Sequence, residues 1–455
     1  MTLAAPTLQE RVARRLDYTR ARQDLQRDLE KLMSSGSPPG AGPAGVRVGV
    51  AALSSGPWHL TLQILLAHAL RLRGAATQLL LCDMPDLPIC NERLFNSRSP
   101  DRCAGCLDDK RELLGASGLG WAPMSAYVAP DAIIRARAEV DALRDDELRG
   151  YRAGGWPVGE WLDVSACHFL RRDGTGDDDE QVATRRRLLI SAIVTVGAIE
   201  GWLADLRPHV VMVQGGVHFM WRIVSELARA RGIEVVCREM GKGGWDHHLY
   251  ALNRDSMAPD LDNAWLAARH EPLSDAESAA VDGLLDQLPA RTFAGAEPVA
   301  WSPVINGRDG LRTIVAFTNV TWDMATARRD AGFAGLADWL RDTIRICAGC
   351  PDVRLIIRAH PAEAGNTRER VIEDVLGGSA SASRRITLVP PTDHISAAAL
   401  CGVADLVSVY NSTAGLEAAA RGKCVLVGGR PHFRGRGFTV DVESRDHYRG
   451  LLDSW

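Results

Sequence analysis

Side chains able to do chemistry gather in this sequence at the ends of short apolar runs. The clearest case runs from Asp405 to Val427, DLVSVYNSTAGLEAAARGKCVLV. LVSVY and CVLV read as buried strands, and LEAAARGK as a helix stopped by Gly422. Between them lies Asn411-Ser412-Thr413-Ala414-Gly415, small residues and hydroxyls where a helix begins. Free backbone N–H groups and the positive end of a helix dipole suit a phosphate there. Glu417, in the first turn, would bond a ribose or complement the dipole. The stretch reads as a site for a sugar attached to a nucleoside mono- or diphosphate.

Three more loops follow apolar runs in the same half. They are Thr318-Asn319-Val320-Thr321-Trp322-Asp323, Arg358-Ala359-His360-Pro361-Ala362-Glu363 and Pro390-Pro391-Thr392-Asp393. A cation, an imidazole and hydroxyls around a helix start make a phosphate-and-ribose pocket. His360 stands before Pro361, which holds it extended. It would bond a leaving phosphate, or simply cap a strand. Arg430, Arg434 and Arg436 follow the last strand and would close over phosphate, unless they form a solvated basic loop.

The first half offers its own groups. Ser54, Ser55, Gly56, Trp58 and His59 follow the strand VRVGVAAL, without the spacing of a dinucleotide-binding glycine loop. Gln214, Gly215, Gly216 and His218 end another strand, and Arg238, Glu239, Gly241 and Lys242 a third. Parallel strands place such ends on one side of a sheet. His59, Glu239 and, from the other half, Asp323 are the candidates for a general base. His59 also fits a helix-packing role. Cys82, Cys90, Cys103 and Cys106 fall in one turn-rich segment that ends in C-x-x-C. They fit a structural zinc or iron–sulfur site, or else plain buried thiols.

The elements that must position these residues alternate strand and helix. The predicted fold class is α/β, with two Rossmann-like domains facing a cleft. Residues 1–44 read as a charged helix and a flexible linker. Residues 45–270 form the first domain, with the Cys-rich insert, 271–310 a connector, and 311–455 the second domain. Residues 117 to 183 show no clear pattern, and WPVGEWLDVSACHFLRRDGTGDDDE reads as a loop-rich insert. A chain of 455 residues is long enough for two cores. A net charge of −4 gives no bulk case for nucleic acid. No apolar run approaches roughly 20 residues, so no spanning helix is expected. No signal peptide is evident, which suggests a cytoplasmic location and leaves room for peripheral membrane association.

RLIIRAHPAE and VYNSTAGLEAAARGKCVLVGGRPHFRGRGFT resemble bacterial capsule and surface-polysaccharide glycosyltransferases, a group that includes Kdo transferases and polysialyltransferases. The shared features are a His-Pro motif, here His360-Pro361, and a Ser/Thr loop, here Ser412-Thr413. TNVTWD is similar to a loop near the donor in relatives. The resemblance covers roughly Leu311 to Asp441. It implies a two-domain glycosyltransferase-B fold whose second domain binds the nucleotide sugar. It also implies transfer to a glycan, a lipid-linked glycan or another hydroxyl acceptor, with no cofactor needed for the transfer. No acidic Asp/Glu-Asp/Glu-Gly motif stands in the first domain. Two other readings fit the same residues: a nucleotide-sugar 2-epimerase or hydrolase, and a non-catalytic assembly protein with a structural metal at the cysteines.

Overall fold

The computed structural model describes residues 45–54, 57–95, 102–172, 176–240, 248–255, 262–287, 310–323, 329–364, 372, 375 and 385–454. The expected N-terminal helix and linker (1–44), Ser55, Gly56, Lys242 and the connector beyond residue 287 lie outside the described residues, save Gly310. The chain divides into two units, Met1–Pro259 and Asp260–Trp455.

The first unit is built on a six-stranded sheet in the order β3-β2-β1-β4-β5-β6. Its strands are β1 (Arg47–Ala52), β2 (Ala76–Leu81), β3 (Trp121–Pro123), β4 (Val210–Gln214), β5 (Glu234–Met240) and β6 (His248–Leu252). Every pairing is parallel except β5 with β6. The helices α1 (Pro57–Leu72), α2 (Asn91–Phe95) and α3 (Arg102–Ser117) follow β1 and β2, and α4 (Ala132–Asp141) follows β3. β1 is buried from Val48 to Ala52, the pattern of a strand covered on both faces. Its Gly49 has a steric purpose. A Cβ there would lie 2.7 Å from the Trp202 ring, so only glycine lets the indole pack onto the strand.

The segment expected to be a loop-rich insert is helical instead. It holds α5 (Val158–Trp161) and α6 (Asp163–Leu170), and all eight residues of α6 are buried. Its acid hides this in the sequence. Buried Asp163 accepts from Arg185 at 3.0 Å and from Arg149 at 2.9 Å, which offsets the cost of burying the carboxylate. α7 (Asp179–Leu206) starts at Asp178, whose carboxylate caps the N–H groups of Glu180 and Gln181. By length and composition this helix could cross a membrane, against the expectation of no such run. Two-thirds of its most apolar window (67%) is buried in the protein, as in a core helix. α8 (Phe219–Ala230) follows β4.

The second unit has the sheet order β12-β11-β10-β7-β8-β9, parallel throughout. Its strands are β7 (Arg312–Phe317), β8 (Val353–Arg358), β9 (Ile386–Val389), β10 (Leu406–Val409), β11 (Cys424–Val427) and the short β12 (Val440–Asp441). α9 (Asp262–Ala268) and α10 (Asp275–Gln287) also belong to this unit. Trp265 of α9 packs edge-on to Phe438, ring centroids 5.8 Å apart, and Arg436 lies over its indole. That contact ties α9 to the second unit. α11 (Leu336–Gly349), α12 (Ala397–Val403), α13 (Ala414–Ala420) and α14 (Arg445–Ser454) complete it. Two Rossmann-like units are thus present, as the strand–helix alternation predicts.

Candidate functional site

In an open parallel sheet, ligands bind beyond the carboxyl ends of the strands where the strand order reverses. In the second unit that point lies between β7 and β10. The loops leaving them are tied together, because the backbone N–H of Asn411 donates to Oδ1 of Asn319 at 3.1 Å. The Asn411 side chain in turn donates to Arg329 O at 3.4 Å. β11 closes the corner. Gly429 N–H donates to Tyr410 O at 3.0 Å, and a Cβ on Gly429 would lie 2.4 Å from Oδ1 of Asn411. Glycine at 429 therefore sets where Asn411 sits.

Thr318 joins β7 to β8. Its N–H and hydroxyl both donate to Arg358 O, at 3.1 and 3.3 Å, and its Oγ1 accepts from His360 N at 3.1 Å. The His360 ring is fixed from within its own turn. Ala362 N–H donates to Nδ1 at 3.2 Å. A backbone N–H only donates, so the neutral ring carries its proton on Nε2. Burial lowers the His360 pKa; the nearby Asp323 carboxylate opposes this, and Arg358 adds to it. At neutral pH the residue is a half-buried, uncharged N–H donor. Pro361 is exposed and opens the short 3-10 turn that follows.

Arg358, expected to contact phosphate, is engaged within the protein. It is buried, and its guanidinium donates to Pro390 O at 2.5 Å and Asp393 O at 2.9 Å. It pins the loop after β9 to the end of β8. Burial lowers its pKa, with Asp393 and Glu363 opposing. Arg434 likewise donates to Val427 O, Gly429 O and Val442 O, while Arg436 packs on Trp265. Both guanidinium groups are thus engaged within the protein, whereas Arg430 is exposed.

The Ser/Thr loop is half open. Ser412 is half-buried, Thr413 exposed, and Glu417 half-buried. Ser412 Oγ accepts from Ala414 N at 3.3 Å, and Ser412 O from Gly415 N at 3.1 Å. α13 spans only seven residues, so its dipole supplies less than the sequence suggests. Gly415 serves packing: a Cβ there would lie 2.8 Å from Val409 Cγ2 and 3.2 Å from Phe433 Cζ. The arrangement thus brings Asn319, Arg358, His360, Asn411, Ser412, Thr413 and Asp323 to one edge of one sheet. Thr318 and Gly429 are the positions that sequence reading undervalued. The Gly-Gly after an apolar strand was the signal for the second.

In the first unit the order reverses between β1 and β4. Arg238, buried at the end of β5, approaches Nδ1 of His59 on α1 at 3.4 Å. Gly215 has φ +64°, and a Cβ there would lie 3.2 Å from Oε2 of Glu239. An arginine donates and never accepts, so Nδ1 of His59 is the acceptor in that contact. Nδ1 of His59 is therefore already engaged. The cysteines Cys82, Cys90, Cys103 and Cys106 lie one strand away. Burial pushes the Cys82 thiol up to about 12. Among the described residues no three His, Cys, Asp or Glu side chains are grouped to hold a metal ion.

Residues 313–450 match the family described as capsule polysaccharide biosynthesis protein. No curated protein sequence matches the chain significantly. Among solved structures, a beta Kdo 2,7 transferase from Thermosulfurimonas dismutans is similar at 16% identity, over 55% of this chain and 74% of that one, with a TM-score of 0.35. A UDP-GlcNAc 2-epimerase from Neisseria meningitidis, bound to UDP-GlcNAc, is similar at 11% identity, over 90% and 89%, with a TM-score of 0.28. A UDP-GlcNAc 2-epimerase from Methanocaldococcus jannaschii, in complex with UDP-GlcNAc and UDP, stands at 12% identity, 90% and 92%, and 0.32.

Proposed function

We propose that the chain is a glycosyltransferase of capsule or surface polysaccharide biosynthesis, moving a sugar from a nucleotide-activated donor to a glycan or another hydroxyl acceptor. One observation carries the reading. The capsule-family match runs from 313 to 450, and all four strand-end loops of the second unit, the two at its switch point included, fall inside it.

In this reading the second unit holds the nucleotide sugar. Asn319, Asn411, Ser412 and Thr413 supply polar contacts to phosphate and sugar. His360 donates Nε2–H to a phosphate oxygen as the glycosidic bond breaks and negative charge builds there. A fixed neutral donor at the point of developing charge needs no reorganisation during the reaction. Arg358 is a positioning residue that holds the loops around His360. Glu239 takes the proton of the acceptor hydroxyl, with His59 and Asp323 as the other bases to be tested. These protein groups stabilise the leaving phosphate without a metal ion.

The test is product analysis with a panel of sugar nucleotides, with and without glycan acceptors. Transfer is expected only when both substrates are present. Conversion of the sugar nucleotide alone to its 2-epimer would replace this reading with the epimerase one.

A further inference from the structure

The transfer chemistry leaves the four clustered cysteines unused. Cys82 directly follows β2, Cys90 directly precedes α2, and Cys103 and Cys106 lie on the first two turns of α3. β2 pairs with β1, so the cluster sits on the same sheet edge as Ser54, one strand over. Its segment is firmly held. Arg93 donates to Leu87 O at 2.7 Å, Pro88 O at 3.0 Å and Pro85 O at 3.2 Å.

Lys110 stands among these thiols, one turn beyond Cys106 on α3, and is only 1% exposed. Its Nζ donates to Cys82 O at 3.1 Å, and the thiols of Cys82, Cys106 and Cys90 are its electrostatic neighbours. Among the described residues its partners include no carboxylate. Lysines this deeply buried are almost always paired with opposite charge. Among the described residues the groups around it that can supply it are the thiols. A set of metal-bound thiolates would, since such a centre carries net negative charge.

The geometry points to an iron–sulfur cluster ligated by Cys82, Cys90, Cys103 and Cys106, with Lys110 donating to its sulfurs and offsetting its charge. A single tetrahedral zinc needs sulfurs about 3.8 Å apart, given a Zn–S bond of about 2.3 Å. No three described ligand side chains are grouped for one ion. Thiols spread around a shared ammonium suit a larger multinuclear body. Cluster ligation by cysteine is the common mode, and hydrogen bonds to the sulfurs tune its potential. When a preformed cluster is taken up, each cysteine thiol passes its proton to a departing thiolate ligand of the incoming cluster and takes its place on iron, so one Fe–S bond forms as another breaks and no electrons move.

The full chain purified without oxygen is the sample to test, by iron, zinc and acid-labile sulfide content and by visible absorption. Iron and sulfide in equal amounts, with a broad visible band, are expected. Cys106→Ser should lose most of both while its far-UV circular dichroism is unchanged. Lys110→Met should lower the cluster's reduction potential, and Lys110→Arg should restore it. Stoichiometric zinc without sulfide would overturn the cluster. Metal-free protein that takes up no iron and sulfide on anaerobic reconstitution would overturn the site, and needs no variant to fold. An unchanged potential in Lys110→Met would overturn the role of the ammonium.

Discussion

His360 shows how much one backbone hydrogen bond decides. Ala362 N–H occupies Nδ1, so the ring can only offer Nε2–H outward. His360→Ala removes that donor. By analogy with loss of one transition-state donor, kcat should fall about 100-fold or more in steady-state assays. Gly429→Ala tests the placement of Asn411. Its new Cβ falls 2.4 Å from Oδ1, so Asn411 must move, and the KM for donor should rise with kcat less affected. At the other sheet, Glu239→Gln should lower kcat by roughly 100-fold or more, as loss of a general base does, and His59→Gln by less. Equal losses in the two variants would remove the preference for Glu239. His360 and Asn411 were legible because strand ends beside polar loops mark a switch point. The packing task of Gly415 and the carbonyl-pinning task of Arg358 were not. A glycine or an arginine in a loop looks the same in sequence whether it faces a phosphate or a neighbouring side chain.

Among the elements, α14 is fixed by one buried hydroxyl. Tyr448 is fully buried, and its OH shares hydrogen bonds with Thr343 of α11 and Ser408 of β10, both at 2.9 Å. Tyr448→Phe removes both bonds while keeping the ring. Stability should drop by about 1–2 kcal/mol in denaturant unfolding, with the m-value unchanged. The strands β1, β4, β7, β8 and β10 were readable as apolar runs, since both faces of a parallel sheet are covered. β6 and β12 were not: one is an antiparallel edge that exposes Tyr250 and Leu252, the other only two residues long. α6 was missed because Asp163, Ser165 and His168 look solvated in sequence. In the fold Asp163 is satisfied by two arginines, and Ser165 Oγ accepts from Phe219 N at 2.9 Å.

For the molecule as a whole, buried imidazoles make stability sensitive to acid. Burial holds the pKa of His168 and of His218 well below the ordinary value of 6.5, with Arg171 and, for His168, the neighbouring His218 adding to it. His360 is lowered in the same direction. A depressed pKa means that the unfolded chain binds protons first as pH falls. The associated stability is full above pH 6.5 and is lost below it, as each imidazole is forced to titrate. The melting temperature should therefore fall between about pH 7 and about pH 5, and less steeply in His168→Asn/His218→Asn. A curve of the same slope in that variant would place the acid sensitivity elsewhere.

The most direct test of donor binding by the second unit is a thermal-shift panel of UDP, GDP, CDP, CMP and dTDP on the wild type and on His360→Ala. A ligand that binds only the folded state adds about 2.7 kcal/mol at one hundred times its Kd. One nucleotide should raise the wild-type melting point and lose most of that effect in the variant, fixing the site and the donor base together. If no nucleotide raises it, or if the variant responds as the wild type does, the switch point between β7 and β10 is not the donor site.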